Sequence, residues 1–344
     1  MVGALGPMRA GHAAGTINET AGQAGVGVPG VPGDARPCQG RRGGRTLKSV
    51  DNRSEVREFL ASRRARLTPD QAGLPTYGGN RRVPGLRREE AALLAGVSVD
   101  YYTHLERGNL TGASEGVLEA VARALQLDEA ERAHLFDLAR AANAGTKAST
   151  QRRPAPQQVR PGVQRILDAI TDAPADVRNG RRDILAANRL GHALYSEMYI
   201  DPVRPANVAR FTFLSPRARD FFRDWDKAAN DIVANLRTEA GRNPCDRGLS
   251  DLVGELSTRS DDFRTRWAAH NVRHHNTGTK RLHHPVVGDL DLAYEAMQLP
   301  GDPGLVLVVY TCEPDSPTQE ALRFLASWAD SQDHDGRQQT GRPA

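Results

Sequence analysis

Cysteine is scarce in this chain of 344 residues: Cys38, Cys245 and Cys312 lie far apart with no C-x-x-C spacing. They provide neither a disulfide framework nor a zinc ribbon, which fits a reducing compartment such as the cytoplasm. Long apolar runs are missing too. No stretch approaches the roughly 20 residues that a membrane span needs, and the amino-terminal segment lacks the apolar core of a secretory signal. A G-x-S-x-G elbow, a P-loop and a Rossmann glycine set opening a helix are also absent, so neither catalysis nor a bound cofactor is expected. A global charge signal is missing as well. The formal net charge is +4, but Arg9, Arg36, Arg41, Arg42, Arg45 and Lys48 face only Glu19 and Asp34 in residues 1–49, which accounts for the whole surplus. Any case for nucleic acid has to rest on a local pattern.

Residues 1–49 are rich in Gly, Ala, Pro and Arg and have few large apolar side chains. Such a segment cannot offset the entropy of ordering, and disorder is expected. It reads as a basic arm on DNA, as a solvated tail, or as sequence upstream of a true start at Val50.

From Ser54 the apolar spacing becomes helical. Val56, Phe59 and Leu60 share a face, with Glu55 and Glu58 near the start and Arg63, Arg64 and Arg66 near the end, an order that suits the helix dipole. Ser114 caps a stretch carrying Leu118, Val121 and Leu125, and Asp128 with Glu131 forms a capping box for the next. Residues 50–142 are read as a five-helix domain. Residues 143–160 collect Pro, Gln, Ser, Thr and Arg and form a linker.

Beyond the linker the class changes. "DVRNGRRDILAANRL" reads as two strands around a type I′ turn at Asn179-Gly180, and helical spacing follows near 221–236, 249–257 and 261–274. Strands then return, with Leu290, Leu292, Tyr294 and Ala296 alternating on one face and "LVLVVYTC" as a central strand, before a final helix at 317–329. Strands, helices, then strands mean an α+β domain over 161–330, its sheet covered on one side, followed by a disordered tail at 331–344.

The most informative stretch is "GLRREEAALLAGVSVDYYTHLERGN", residues 85–109. A helix near 87–95 ends at Gly96, and Ser98 caps the next. Ala92, Gly96, Val97, Tyr102 and Leu105 occupy the spacing of a helix-turn-helix, whose second helix lies in the DNA major groove. Ser98, Val99, Asp100, Thr103, His104 and Arg107 then face outward. Asp100 can accept from cytosine N4, Thr103 or His104 can bond base edges, and Val99 can touch a thymine methyl. Arg107, Asn109, Arg81, Arg82, Arg87 and Arg88 are placed on phosphates. An ordinary helical hairpin with solvated arginines is the competing reading.

"VSVDYYTHLERG" resembles the recognition half of the Xre-type (lambda repressor and Cro-like) helix-turn-helix. "RRVPGLRREEAALLAGVSVDYYTHLERGN" is similar in particular to the actinobacterial MmyB-like transcription regulators. The likeness resumes at "RWAAHNVRHHNTGTKRLHHPVVGDLDLAYEAMQLPGDPGLVLVVYTCEPDSP". It implies a PAS-like second domain that binds a small apolar or fatty-acyl ligand and controls the DNA-binding half. "DILAANRLGHALY" is similar to the early strand of PAS domains, with Asn188 at the corresponding position.

In that domain Phe221, Phe222, Trp225, Phe263 and Trp267 are candidates to line an apolar cavity, against the plainer reading of a core stripe. Arg178 or Arg181 is a candidate holder of a ligand carboxylate, against a role as a solvated turn residue. His270 and His274 stand i, i+4 with His283 or Asp289 nearby; polar histidines ahead of a strand are the plainer account, and no metal is expected. The expectation is a one-component cytoplasmic regulator: a homodimer on an inverted-repeat operator in double-stranded DNA, with a small-molecule ligand and no membrane contact. The alternative is a metal-dependent or ligand-modifying enzyme with a DNA-binding head.

Overall fold

The computed structural model describes residues 52–75, 83–144, 157–270 and 277–340, with 144 and 333–340 described by their backbone alone. Arg81, Arg82, His274 and the segment 1–49 lie outside these residues, as does most of the expected linker. All described residues belong to one compact unit, Leu47–Ala344.

The head consists of five helices: α1 (Asn52–Arg66), α2 (Arg88–Ala95), α3 (Val99–Glu106), α4 (Glu115–Ala124) and α5 (Glu129–Ala144). Their ends follow the local chemistry. Gly96 takes φ 64°, the left-handed geometry that closes α2, and the Ser98 hydroxyl accepts from the Tyr101 N–H at 3.1 Å to open α3. Asp128 and Glu131 bond each other's backbone N–H reciprocally at 2.9 and 3.2 Å, as the capping-box pattern predicts. Phe59, Leu60, Ala91, Ala92, Tyr102 and Leu105 form the centre of the core. The alanines let α2 cross closely against α3 and α4.

The second domain holds a five-stranded antiparallel sheet of order β2-β1-β5-β4-β3. Its strands are β1 (Ala175–Asn179), β2 (Ile184–Ala187), β3 (Thr277–His284), β4 (Gly288–Gln298) and β5 (Leu305–Thr311). One face packs under α7 (Arg189–Leu194), α8 (Ser196–Tyr199), α9 (Val208–Leu214), α10 (Ala218–Phe221), α11 (Trp225–Arg242), α12 (Arg247–Arg259), α13 (Asp261–Ala268) and α14 (Pro317–Thr340). The expected alternation along β4 is present, with Leu290, Leu292 and Tyr294 buried.

Four expectations need revision. The sheet is not covered on one side only, because α6 (Pro161–Ala169) seats Val163 and Leu167 on the outer face of β1 and β5. The β1–β2 connection is not a two-residue type I′ turn: Asn179 bonds Asp183 across it and Arg182, at φ 69°, carries the left-handed residue. The helix predicted over 261–274 stops at Ala268, and His270 turns the chain at φ 53°. The last helix continues to Thr340, past the boundary set at 330.

Candidate DNA-reading face and ligand cavity

One side of α3 is committed to the head core, with Tyr102, Leu105 and Glu106 buried. The remaining residues fall on the other side by helical geometry. Ser98, Val99, Asp100, His104 and Arg107 are exposed, and Thr103 and Asn109 are half-exposed. Asn109 is drawn against the end of the helix through the His104 carbonyl, at 3.3 Å from its backbone N–H. Arg87 is exposed beside this face. Arg88 is not simply a free cation, because its Nε donates to Glu106 at 3.0 Å. Glu106 also receives Arg64 at 2.7 Å, so one buried carboxylate at the end of α3 ties that helix to α1 and α2. Burial works against the Arg64 charge, yet the hydrogen bonds from Arg64 to Glu106 outweigh it and raise its pKa.

A cavity of about 180 Å³ opens between the first turns of α11 and the outer edge of β3, beside the point where Phe222 bridges to Leu282. Phe222, Lys227, Asp231 and Lys280 line it. Behind Lys280 the interior is polar. The Arg178 guanidinium grips Asp176 through two bonds, at 2.5 and 2.7 Å, and donates to the Tyr310 hydroxyl at 2.9 Å, which in turn meets the Tyr195 hydroxyl at 2.6 Å. Two buried nitrogens, Nη1 of Arg178 and Nε of Arg182, have no hydrogen-bond partner. Lys280 lies over the Phe222 and Tyr294 rings at 5.8 and 5.5 Å, and among the described residues no carboxylate pairs with it. Burial, reinforced by Arg178 and Arg182, pushes the Lys280 ammonium down to about 7. A second groove of about 680 Å³, between α7 and α14, is lined by His192, Tyr199, Ile200 and Trp328.

Of the expected ligand residues only Phe222 reaches the first cavity. Phe221 packs edge-on to Phe211 at 5.5 Å, Trp225 donates its indole N–H to the Thr212 carbonyl at 3.1 Å, and Phe263 stacks with Trp267 at 5.5 Å. These rings fill the interior, as aromatic side chains at helical spacing generally do. Asn188 is consumed by structure. It caps α7 through the Gly191 N–H at 2.7 Å and donates to the carbonyls of Ile170 and Ala173 at 2.7 and 2.8 Å. Arg178 is neither a turn residue nor free, since Asp176 already occupies one edge of its fork. Arg181 bonds Asp183 at 3.2 Å and Asp246 at 3.4 Å. Lys280 and Arg182 went unnoticed in the sequence. The signal was available for Lys280, which shares the inward face of β3 with Leu282 and His284, an unusual place for an ammonium.

The described histidines of the cluster do not converge. His270 packs against α1 and His283 pairs with Asp289 at 2.7 Å on the surface. Among the described residues no group of three His, Cys, Asp or Glu is placed to hold a metal. No helix of the described residues is long and apolar enough to cross a membrane.

Residues 159–325 match the family model for the MmyB-like transcription regulator ligand binding domain, and residues 55–135 match a helix-turn-helix domain model. No curated protein matches the chain. An Xre-like helix-turn-helix followed by an α+β ligand-binding domain, in one chain, makes this protein an MmyB-like transcription regulator.

Proposed function

We propose that the protein is a one-component cytoplasmic repressor or activator that binds an inverted-repeat operator as a homodimer and answers to a small ligand with an apolar or fatty-acyl body and an anionic head. The open face of α3 carries the first half of this reading. Ser98, Val99, Asp100, Thr103 and His104, able to read base edges, and Arg107, able to meet phosphate, lie on the open or half-open side of a helix whose back is locked into the core. The strand order supports the PAS-like reading of the second domain. Footprinting upstream of the protein's own gene and its neighbours is the direct test, and the absence of any protected inverted repeat sinks the reading. Contacts are separated by substitution. Arg87→Ala lowers affinity for every sequence and reduces the salt slope by about 1. Thr103→Ala or His104→Ala relaxes preference at one base pair, worth about 1–3 kcal/mol. Identical behaviour of all three means that α3 docks in another orientation.

The first cavity, though the smaller, is favoured for the ligand because Lys280 and Lys227 line it and the Arg178 and Arg182 guanidiniums, each with an unpartnered buried nitrogen, act electrostatically on Lys280, a field that favours an anion. The pH dependence follows from Lys280. Its folded pKa is about 7, so above that value the amine is neutral in the empty protein, and an anion has to recharge it on binding. Decanoate, whose carboxylate stays charged, therefore binds about tenfold more weakly per pH unit above 7, and Lys280→Met flattens the profile. Titration calorimetry between pH 6 and 9 checks this. A flat wild-type profile excludes Lys280 from the site and moves the ligand to the groove beside Trp328.

A further inference from the structure

The head and the ligand-binding domain meet through buried charge. Arg237, on α11, is fully buried, and so nearly are Glu55 and Arg63 of α1, Glu131 and His134 of α5, and His270 just beyond α13. Arg237 donates to Glu55, to the Trp267 carbonyl and, at 2.8 Å, to Nδ1 of His270. An arginine only donates, so Nδ1 of His270 is an acceptor and the hydrogen sits on Nε2, 2.9 Å from Glu58. Arg63 crosses in the other direction, donating to the His270 carbonyl while pairing with Glu131 at 3.1 Å. At the rim Arg242 of α11 bonds Asp137 of α5 at 3.0 Å. Between these contacts Gly241 lets α11 touch α5: a Cβ there comes within 2.6 Å of the His134 ring.

Such a cluster adds little net stability, since desolvation consumes most of what the pairing returns, but it fails steeply when one member is removed. Its products are a fixed orientation and an all-or-none contact. The same helix also walls the ligand cavity. Lys227, Ala228 and Asp231 line the cavity, and Arg237 follows Asp231 by six residues, roughly 9 Å along a rigid helix.

We infer that α11 is the connecting rod of this regulator: its first turns meet the ligand, and the Arg237 cluster at its other end is the joint by which the ligand-binding domain holds the head. The joint stands on the contacts alone; its control by ligand rests on the cavity reading given above.

All three tryptophans, Trp225, Trp267 and Trp328, lie in the ligand-binding domain, and the Arg237 guanidinium stacks over Trp267 at 4.2 Å. Tryptophan emission thus follows that domain, while far-UV dichroism follows the helices of both. In urea unfolding of the full chain the two probes coincide for the wild type. Glu55→Gln separates them, the dichroism beginning to fall about 1 M or more below the emission transition. Gly241→Val, which wedges the interface without altering charge, separates them in the same way and serves if the first variant does not fold. Separate transitions in the wild type overturn the joint, and so do transitions that stay coincident in both variants, shifted or not. Decanoate is the second arm. It delays both transitions in the wild type but only the emission transition in Glu55→Gln. If decanoate delays neither in the wild type, the ligand reading fails and the urea result still decides the joint. If it delays both in the variant, the joint does not carry the signal.

Discussion

Glu106→Ala is expected to unfold the head and abolish operator binding while the ligand-binding domain stays folded. Glu106 is 2 % exposed, and its two oxygens hold Arg64 of α1 and Arg88 of α2 from the last turn of α3. Removing the carboxylate leaves the mostly buried Arg64 with the Leu86 carbonyl, 2.6 Å from its Nη1, but with its Nε and Nη2 no longer paired to a charge. Breaking a buried pair on one side costs about 3–5 kcal/mol, and the half-exposed Arg88 puts this case at the lower end. A helical domain of this size has little more than that in reserve. Thermal unfolding followed by far-UV dichroism should show an early loss of part of the helix signal with tryptophan emission intact. Glu106→Gln, which keeps the shape and one acceptor, should be milder. Equal stability of the wild type and Glu106→Ala would falsify the view that one carboxylate organises the three helices.

The second large effect belongs to the ligand-binding domain. Asp176→Ala strands the Arg178 guanidinium, 1 % exposed, with the Tyr310 hydroxyl, itself bonded to Tyr195, as its remaining side-chain acceptor and with the cationic Arg182 nearby. Burial opposes the Arg178 charge and Asp176 more than offsets it, holding its pKa well above the usual value. With the carboxylate gone the cost is about 3–5 kcal/mol, visible as a lowered urea midpoint in tryptophan emission. The double variant Asp176→Ala/Arg178→Met removes the stranded charge as well and should recover most of the loss. A double variant worse than the single one means that Arg178 stabilises the sheet by some means other than its pairing with Asp176.

These two carboxylates show where the sequence was readable and where it was not. The head was legible because its instructions are local. Gly96 and Ser98 mark the turn between α2 and α3, Asp128 and Glu131 start α5 from three residues apart, and the spacing of Tyr102 and Leu105 fixes which side of α3 faces out. The same holds for β4, whose alternation of Leu290, Leu292 and Tyr294 gives its inner face without reference to any partner. What stayed hidden depends on distant pairs. Glu55 and Arg63 sit where the helix dipole favours them, and that account of them was sufficient until the fold brought Arg237 to Glu55 from 182 positions away. Asp176 and Arg178 are two apart on one strand, which for most strands means a solvated face; only the covering helices turn that face inward. Asn188 was given a ligand role from likeness alone, and its amide turned out to serve the cap of α7. Of the aromatic residues Phe222 lines the cavity while Phe221, Trp225, Phe263 and Trp267 pack on other rings and backbone, because a ring at helical spacing says that it is buried and nothing about whether its neighbour is a ligand or another ring.

The shortness of α3 has a consequence for the genome rather than for the protein. Eight residues span roughly 12 Å, about the rise of three or four base pairs, so one helix reads a word of that length. Two such words in the proposed dimer specify roughly seven base pairs, a pattern that recurs by chance about once in 10⁴ base pairs and hence many times among the roughly 10⁶ or more competing sites of a chromosome. Base contacts from α3 are therefore too small a vocabulary to single out one promoter. The remaining information has to come from spacing between the words, from the bendability of the DNA between them, or from several operators placed side by side.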